Sequence, residues 1–289
     1  MTRGINPALE VEGLRHRYSG AARPAVDGVS FSVAEGEVFG FLGPSGAGKT
    51  TTQQCVIGML DAWTGTVRIF GRDVQAWGRD LYDQIGVAFE LPAGYARLTA
   101  REDLAHFAAL HGTRPRDIDE LLASVWLTDA ADTLVGTFSK GMRIRLNLAR
   151  AMLHNPRLLF LDEPTGGLDP ATARQVRTLI AAERRRGTSV FLTTHDMATA
   201  DAVCDRVAFM VDGRIAACDS PRALRLAAGT GLVRVEYRDD DGERVQRSFP
   251  LNGSQDGLAR VLASGRVEAI HSTEASLDDI FVQLTGQSL

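Results

Sequence analysis

Two hydrophobic periods alternate along the 289-residue chain. Between residues 9 and 33 apolar and polar positions alternate, which predicts antiparallel strands, with turns at Ser19-Gly20 and Asp27-Gly28. Residues 37–42 are mostly apolar, as a buried strand should be, and the proline-free run after Thr50 is free to be helical. Residues 64–71 predict a short strand between glycine turns, and residues 85–89 another. The pattern then changes. Residues 102–110 and 117–127 carry helical spacing, within a helical stretch that runs from about residue 99 to residue 153. Two strongly apolar strands follow, at 158–161 and 189–194, with a helix over 171–186 between them. Strand–helix–strand with apolar strands predicts a parallel sheet covered on both faces. Strict alternation resumes at residues 232–237, breaks at the acidic turn Asp239-Asp240-Asp241-Gly242 and continues to Phe249. A helical stretch, a short strand and a last helix over 276–284 complete the pattern. The expected organisation is an α/β domain over 7–229, with an antiparallel β-subdomain and a helical subdomain at about 91–155. A small α+β domain over 230–289 follows, divided from the first at the glycine loop 229–231.

Composition narrows the class. The chain is 44% hydrophobic and 24% charged with a formal net charge of −4. That is ordinary for a globular protein and offers no global basic field for nucleic acid. The run Arg184-Arg185-Arg186 reads as a solvated helix end. Cys55, Cys204 and Cys218 are odd in number and far apart, which suggests reduced thiols in a cytoplasmic compartment and no metal cluster. Residues 1–7 lack the apolar core of a signal peptide. No apolar run reaches the roughly 18 residues that a spanning helix needs.

The chemistry concentrates first at Gly43-Pro44-Ser45-Gly46-Ala47-Gly48-Lys49-Thr50, which has the P-loop spacing G-x-x-x-x-G-K-[ST]. Glycines at 43, 46 and 48 let the backbone turn tightly and aim its N–H groups inward. The following helix start favours an anion. Lys49 adds a full charge for the β- and γ-phosphates, and the Thr50 hydroxyl is placed to ligate Mg²⁺. A second acidic site is then needed. The strand at 158–161 ends in Asp162-Glu163, at the carboxyl edge of the predicted sheet, where ligands bind. Asp162 suits the metal, and Glu163 suits a general base that polarises water. Pro164-Thr165-Gly166-Gly167-Leu168-Asp169 follows directly.

With these motifs in order, the chain resembles the ATP-binding cassette (ABC) ATPases from about residue 9 to residue 226. Phe138-Ser139-Lys140-Gly141-Met142 stands where that family's signature falls, Gly167-Leu168-Asp169 matches its D-loop, and His195 matches its switch histidine. Tyr18 lies where an aromatic side chain stacks on adenine. The resemblance implies a RecA-like P-loop fold, ATP and Mg²⁺ as ligands, and two ATP molecules sandwiched in a head-to-tail dimer, either a homodimer or a heterodimer with another ABC ATPase. Ser139 and Gly141 of one subunit would face the γ-phosphate held by Gly43–Thr51 of the other. Asp169 would belong to the same composite site, and His195 would contact the γ-phosphate.

Two departures from the family pattern stand out. Glu90 occupies a position where glutamine is usual, which still allows metal ligation but adds negative charge. Lys140 and Met142 replace a glycine and a glutamine of the signature, while its serine and second glycine are intact. That variant resembles the exporter branch whose permease is a separate chain. Residues 275–286 resemble the end of daunorubicin-type drug-resistance exporters. The implied function is ATP hydrolysis that drives drug export through a separate membrane permease, at the inner face of the cell membrane and without nucleic acid. The permease surface is expected beside Glu90 and residues 91–98. The alternative is a soluble non-transport ABC ATPase of the DNA-repair or translation type. Repair members need long coiled-coil insertions and translation members need two cassettes, whereas a single P-loop and an ordinary gap between motifs are present here.

Overall fold

Continuous burial marks the strands that carry the site. In the computed structural model, which describes residues 7–90, 94–228, 232–239, 242–250, 256–273 and 275–286, the chain divides into two compact units, 1–218 and 219–288. The first opens with β1 (Pro7–His16), β2 (Val26–Ala34), β3 (Val38–Leu42), α1 (Lys49–Val56), β4 (Trp63–Ile69), β5 (Arg72–Asp73), α2 (Leu81–Gln84) and β6 (Ile85–Ala88). Three helices follow, α3 (Ala100–Ala108), α4 (Ile118–Ser124) and α5 (Lys140–Met152). The chain then returns as β7 (Leu158–Asp162), α6 (Pro170–Arg185), β8 (Ser189–Thr194), α7 (Met197–Val203), β9 (Arg206–Val211) and β10 (Arg214–Asp219).

A six-stranded sheet has the order β10-β9-β3-β8-β7-β6. β3 runs parallel to β8 and β9, and β7 runs parallel to β6 and β8. Every residue of β3, β7 and β8 is buried, as a parallel sheet covered on both faces requires. A second sheet, β2-β1-β4-β5, is antiparallel and forms the expected β-subdomain. Phe31 of this sheet packs on Phe39, Phe41 and Phe191 of the parallel sheet at ring-centroid distances of 5.3–5.6 Å. Aromatic pairs of this kind contribute roughly 0.5–1.5 kcal/mol each beyond area burial, so Phe31 joins the two sheets. The P-loop sits at the carboxyl end of β3, central in the parallel sheet, as ligand sites in open α/β sheets do.

One expected turn is corrected. Asp27-Gly28 lies inside β2: Arg15 pairs with Asp27 and Leu14 with Val29, so Gly28, at φ 76°, is the extra residue of a β-bulge. Glycine takes this backbone conformation without a Cβ penalty, and Asp27 there accepts from Arg15 and Arg214.

The helical subdomain is held by its caps. Thr99 and Glu102 form a capping box on α3, Asp117 caps α4 and Ser139 caps α5. Leu104, Leu121, Leu122, Leu146 and Met152 build its core. Where α5 ends, His154 is 5% exposed and its Nε2 donates to the Ile85 carbonyl at 2.9 Å. Its ring stacks on His111 with centroids 4.0 Å apart. Burial, with His111 adding to it, pushes the His154 imidazole down from its usual 6.5 to about 4. Between those two values the unfolded chain binds a proton that the folded chain refuses, so stability rises with pH across that window. The slope is expected to span roughly 1–3 kcal/mol and to vanish in His154→Phe, as read by denaturant unfolding at about pH 5 and about pH 7.

The second unit contains α8 (Pro221–Ala228), β11 (Leu232–Arg238), β12 (Arg244–Pro250), α9 (Asp256–Ala263), β13 (Val267–Thr273) and α10 (Leu277–Thr285). Its antiparallel sheet has the order β12-β11-β13. Val233, Val235 and Phe249 form its core with Leu258 and Val261 packed on it, which is the inward half of the predicted alternation. Ser276 and Asp279 cap α10 reciprocally. The expected boundary loop 229–231 and Asp240-Asp241 of the acidic turn lie outside the described residues. The units part earlier, after Cys218, and α8 packs on α10 within the second unit.

Candidate active site

The loop between β3 and α1 forms a cradle, and at two of its glycines close neighbours leave no room for a side chain. A Cβ on Gly43 would stand 2.2 Å from the Met210 carbonyl oxygen, and one on Gly48 would stand 2.2 Å from the Ala25 carbonyl oxygen. Gly48 also sits at φ 105°, immediately before α1. Gly46 has φ 82° but open space around it. Gly48→Ala is therefore expected to lower stability by roughly 2–4 kcal/mol, through the clash and the left-handed backbone together. Gly46→Ala is expected to cost about 1 kcal/mol, for the backbone alone. Thermal unfolding of the two variants checks the difference.

Lys49 is 7% exposed, and its ammonium donates to the carbonyl oxygens of Gly43 at 2.6 Å and Pro44 at 3.3 Å. The ammonium therefore lies curled inside its own loop. Thr50 Oγ1 donates to the Asp162 carboxylate, 3.2 Å from each oxygen. Thr193, on the neighbouring strand β8, donates to the same carboxylate. Burial pushes the Asp162 carboxyl above its usual range, and these two hydroxyls partly offset the shift. A buried carboxylate held by hydroxyls is the electrostatic setting in which a cation is favoured.

Glu163 follows β7 directly and adopts φ 48°, an uncommon conformation for a residue with a side chain. Its N–H donates to the Thr193 carbonyl at 3.0 Å, which fixes the bend. The carboxylate lies 3.6 Å from Lys49 Nζ and 3.0 Å from His195 Nδ1. It also accepts from the His195 backbone N–H at 3.4 Å. His195 is 57% exposed, Glu163 only 11%. Among the described residues four others with a side chain share such a φ, but Glu163 alone of them is an acid held between a lysine and a histidine, a setting in which backbone strain goes with function.

A cavity of about 440 Å³ opens over this cluster. It is lined by Ser45 to Thr51 together with Tyr18, Ala25, Glu90, Glu163 and His195. The Tyr18 hydroxyl lies 3.2 Å from Thr51 Oγ1, at one end of the loop. The structure thus brings together the P-loop residues, Tyr18, Glu90, Glu163 and His195, with Asp162 joined through Thr50.

Ser139, Gly141 and Asp169 do not line that cavity. Ser139 caps α5, where its hydroxyl accepts from Met142 N–H at 3.2 Å. Asp169 caps α6 and accepts from Thr172 Oγ1 at 2.6 Å, a bond that holds its carboxyl below the usual range. These two helix starts meet. A Cβ on Gly141 would lie 3.5 Å from Thr172 Cγ2, and one on Gly167 would lie 2.3 Å from Lys140 Nζ. The chain therefore carries a phosphate cradle and a separate patch built of two helix N-termini. Thr193, which braces both acids, is absent from the sequence expectations. Only the pairing of β7 with β8 brings it beside Asp162.

Comparison with known proteins is consistent along the whole chain. Residues 26–166 match the ABC transporter family, and residues 232–274 match the fluoroquinolone efflux ABC transporter C-terminal domain. A fluoroquinolones export ATP-binding protein of Mycobacterium tuberculosis (strain CDC 1551 / Oshkosh) is 52% identical over 97% of this chain and 94% of its own. The daunorubicin/doxorubicin resistance ATP-binding protein DrrA of Streptomyces peucetius is 33% identical over 96% of this chain and 92% of its own. Among solved structures, an ATP binding subunit of an ABC transporter superimposes with a TM-score of 0.70 and 30% identity, covering 77% of this chain and 93% of that one. Cradle, acids and relatives agree: the chain belongs to the ABC transporter family, as an ATP-binding, ATP-hydrolysing subunit.

Proposed function

We propose that two copies of this chain, or one copy and a related subunit, close head to tail over two ATP molecules and so drive drug export through a separate membrane permease. The observation that carries the dimer is that the signature residues Ser139 and Gly141 are not among those that line the cavity over the cradle. Ser139 and Gly141 present a helix start, which favours an anion, yet they stand apart from the cavity of their own chain. A partner copy supplies them to it. A solved relative, 25% identical with a TM-score of 0.66, is a dimeric post-hydrolysis state of an ATP-binding cassette bound to ADP and Pi, and it supports a dimeric working state.

Within each site, residues 43–51 hold the phosphates, with Lys49 as their fixed charge, and Tyr18 stacks on the base. Thr50, Asp162 and Glu90 are oxygen donors, and such donors suit Mg²⁺. Among the described residues no group of three or more His, Cys, Asp or Glu is arranged to hold a metal alone. Magnesium typically completes its shell with substrate phosphates and water, so the residues fit that ion as part of an ATP complex. When bound, Mg²⁺ neutralises charge on the phosphates. Glu163 takes the proton of the attacking water. His195, braced by Glu163, contacts the γ-phosphate. Asp169 holds the α6 start beside the signature of its own chain.

The permease docks on the cleft between the helical subdomain and the parallel sheet. This cavity of about 430 Å³ is mostly apolar, lined by Met59, Tyr82, Val87, Phe89 and Phe107 among others. Met59 and Tyr82 are about half exposed there. Residues 91–93 of the expected docking surface lie outside the described residues. Among the described residues no helix is long and apolar enough to cross a membrane, which agrees with a subunit that joins the inner membrane face through a partner. The names of the relatives point to fluoroquinolones and other drug-like molecules as cargo. Co-expression with a multi-span membrane permease gene from the same genome tests the proposal. Recovery of the chain in membranes only when that gene is present, with lowered fluoroquinolone susceptibility, is the expected result. A chain that stays soluble and leaves susceptibility unchanged contradicts it.

A further inference from the structure

The peptide bond between Phe89 and Glu90 separates two compartments. Phe89 lines the apolar cleft, whereas Glu90 lines the nucleotide cavity. The carbonyl of that peptide accepts a hydrogen bond from Asn147 Nδ2 at 2.9 Å, across 58 residues of sequence. Only the NH₂ end of an asparagine amide can serve a carbonyl, so the orientation of the side chain is fixed. Asn147 also lines the cleft. It lies on α5 about two turns beyond the signature residue Ser139.

The other end of the segment is held by the same helix. Tyr95 N–H donates to Asp103 Oδ1 at 3.3 Å, and Asp103 is fully buried in an ion pair with Arg150. Arg150 stands three positions after Asn147, on the same face of α5. Two side chains of the signature helix thus grip the chain on both sides of Glu90, one directly and one through Asp103.

We propose that Asn147 is a positioning residue that locks the Phe89–Glu90 peptide to the signature helix. The Glu90 carboxylate is thereby held at the nucleotide cavity and moves with α5. Occupancy of the cleft at Phe89, the state of Glu90 and the presentation of Ser139 become one mechanical variable. This rests on the reading of Glu90 as a metal-side ligand, and the test separates the two.

The full chain is purified as wild type, Asn147→Ala, Asn147→Asp, Glu90→Ala and the Asn147→Ala/Glu90→Ala double variant. Asn147→Asp keeps the shape of the side chain but sets a carboxylate oxygen against the carbonyl. Both single changes at Asn147 are expected to lower kcat for ATP roughly ten- to hundredfold. The KM for ATP should stay within about twofold. The Mg²⁺ concentration for half-maximal activity should rise, and amide exchange in peptides covering residue 90 should accelerate, with the thermal midpoint lowered by no more than about 5 °C, the scale of one lost hydrogen bond. The double variant should be no worse than Glu90→Ala. An Asn147→Asp chain with wild-type kcat overturns the proposal. So does a double variant in which the two losses multiply, or a fall in thermal midpoint with kcat and Mg²⁺ dependence intact. Impaired Glu90→Ala beside normal Asn147→Ala overturns the lock alone. Normal Glu90→Ala overturns the reading of Glu90 and the lock with it.

Discussion

Glu163→Gln is expected to lower ATP turnover by roughly 10²–10⁴-fold, the usual contribution of a positioned general base, while ATP binding is retained. Glutamine has the same shape and still offers an oxygen to the His195 N–H, which now lies 3.4 Å from the carboxylate. It offers no basic oxygen to a water. The cradle is untouched, because the phosphate-facing loop is set by the Met210 and Ala25 carbonyls that crowd Gly43 and Gly48. The loss corresponds to roughly 3–5 kcal/mol of transition-state stabilisation. Nucleotide should therefore accumulate unhydrolysed and hold the subunits together. Phosphate release, equilibrium nucleotide binding and gel filtration with ATP check the three parts. Turnover within tenfold of wild type would assign the base elsewhere.

Ser139→Arg is expected to reduce turnover by roughly 10²–10³-fold, the scale of losing one preorganised donor to developing charge, with nucleotide affinity of the single subunit unchanged. The local cost to stability is about 1 kcal/mol, since the Ser139 hydroxyl caps α5. That cost cannot explain a loss of such size. Ser139 does not line the cavity of its own chain, so in the proposed dimer the damage falls on the partner's site. Initial rates measured beside the binding constant of the same preparation separate turnover from affinity. A variant that loses affinity in proportion to rate would mean that the arginine acts within its own subunit.

The parts of the site that were legible in the sequence are those whose spacing is dictated by a ligand. A triphosphate needs glycines, a lysine and a hydroxyl at fixed intervals, so residues 43–50 could be read directly. Asp162 and Glu163 were legible because they end an apolar strand, and β7 ends at Asp162. What depends on distant chain segments was not legible. Thr193 reaches Asp162 only through the pairing of β7 with β8, and the Asn147 bond to Phe89 depends on how α5 lies against β6. Aspartate–glycine pairs show how the same dipeptide serves two geometries. Asp27-Gly28 is a bulge inside β2, where Arg15 and Arg214 hold the aspartate. Asp212-Gly213, with φ of 48° and 78°, joins β9 to β10 as a tight turn. That second pair lies between two strand-like runs and carries the hairpin signal, so it could have been read. The break after Cys218 was not legible, because α8 goes with the second unit through contacts with α10, far along the chain.

The shared site is tested most directly by mixing two inactive variants. Lys49→Ala damages a cradle, and Ser139→Arg damages a signature. In a mixed dimer, the intact cradle of the Ser139→Arg subunit meets the intact signature of the Lys49→Ala subunit, and one complete site results. ATP hydrolysis is expected to reappear on mixing, well above the sum of the two separate preparations, and to depend on the ratio of the two. A mixture that remains as inactive as its components, under conditions where wild-type subunits exchange, would contradict a site built from two chains.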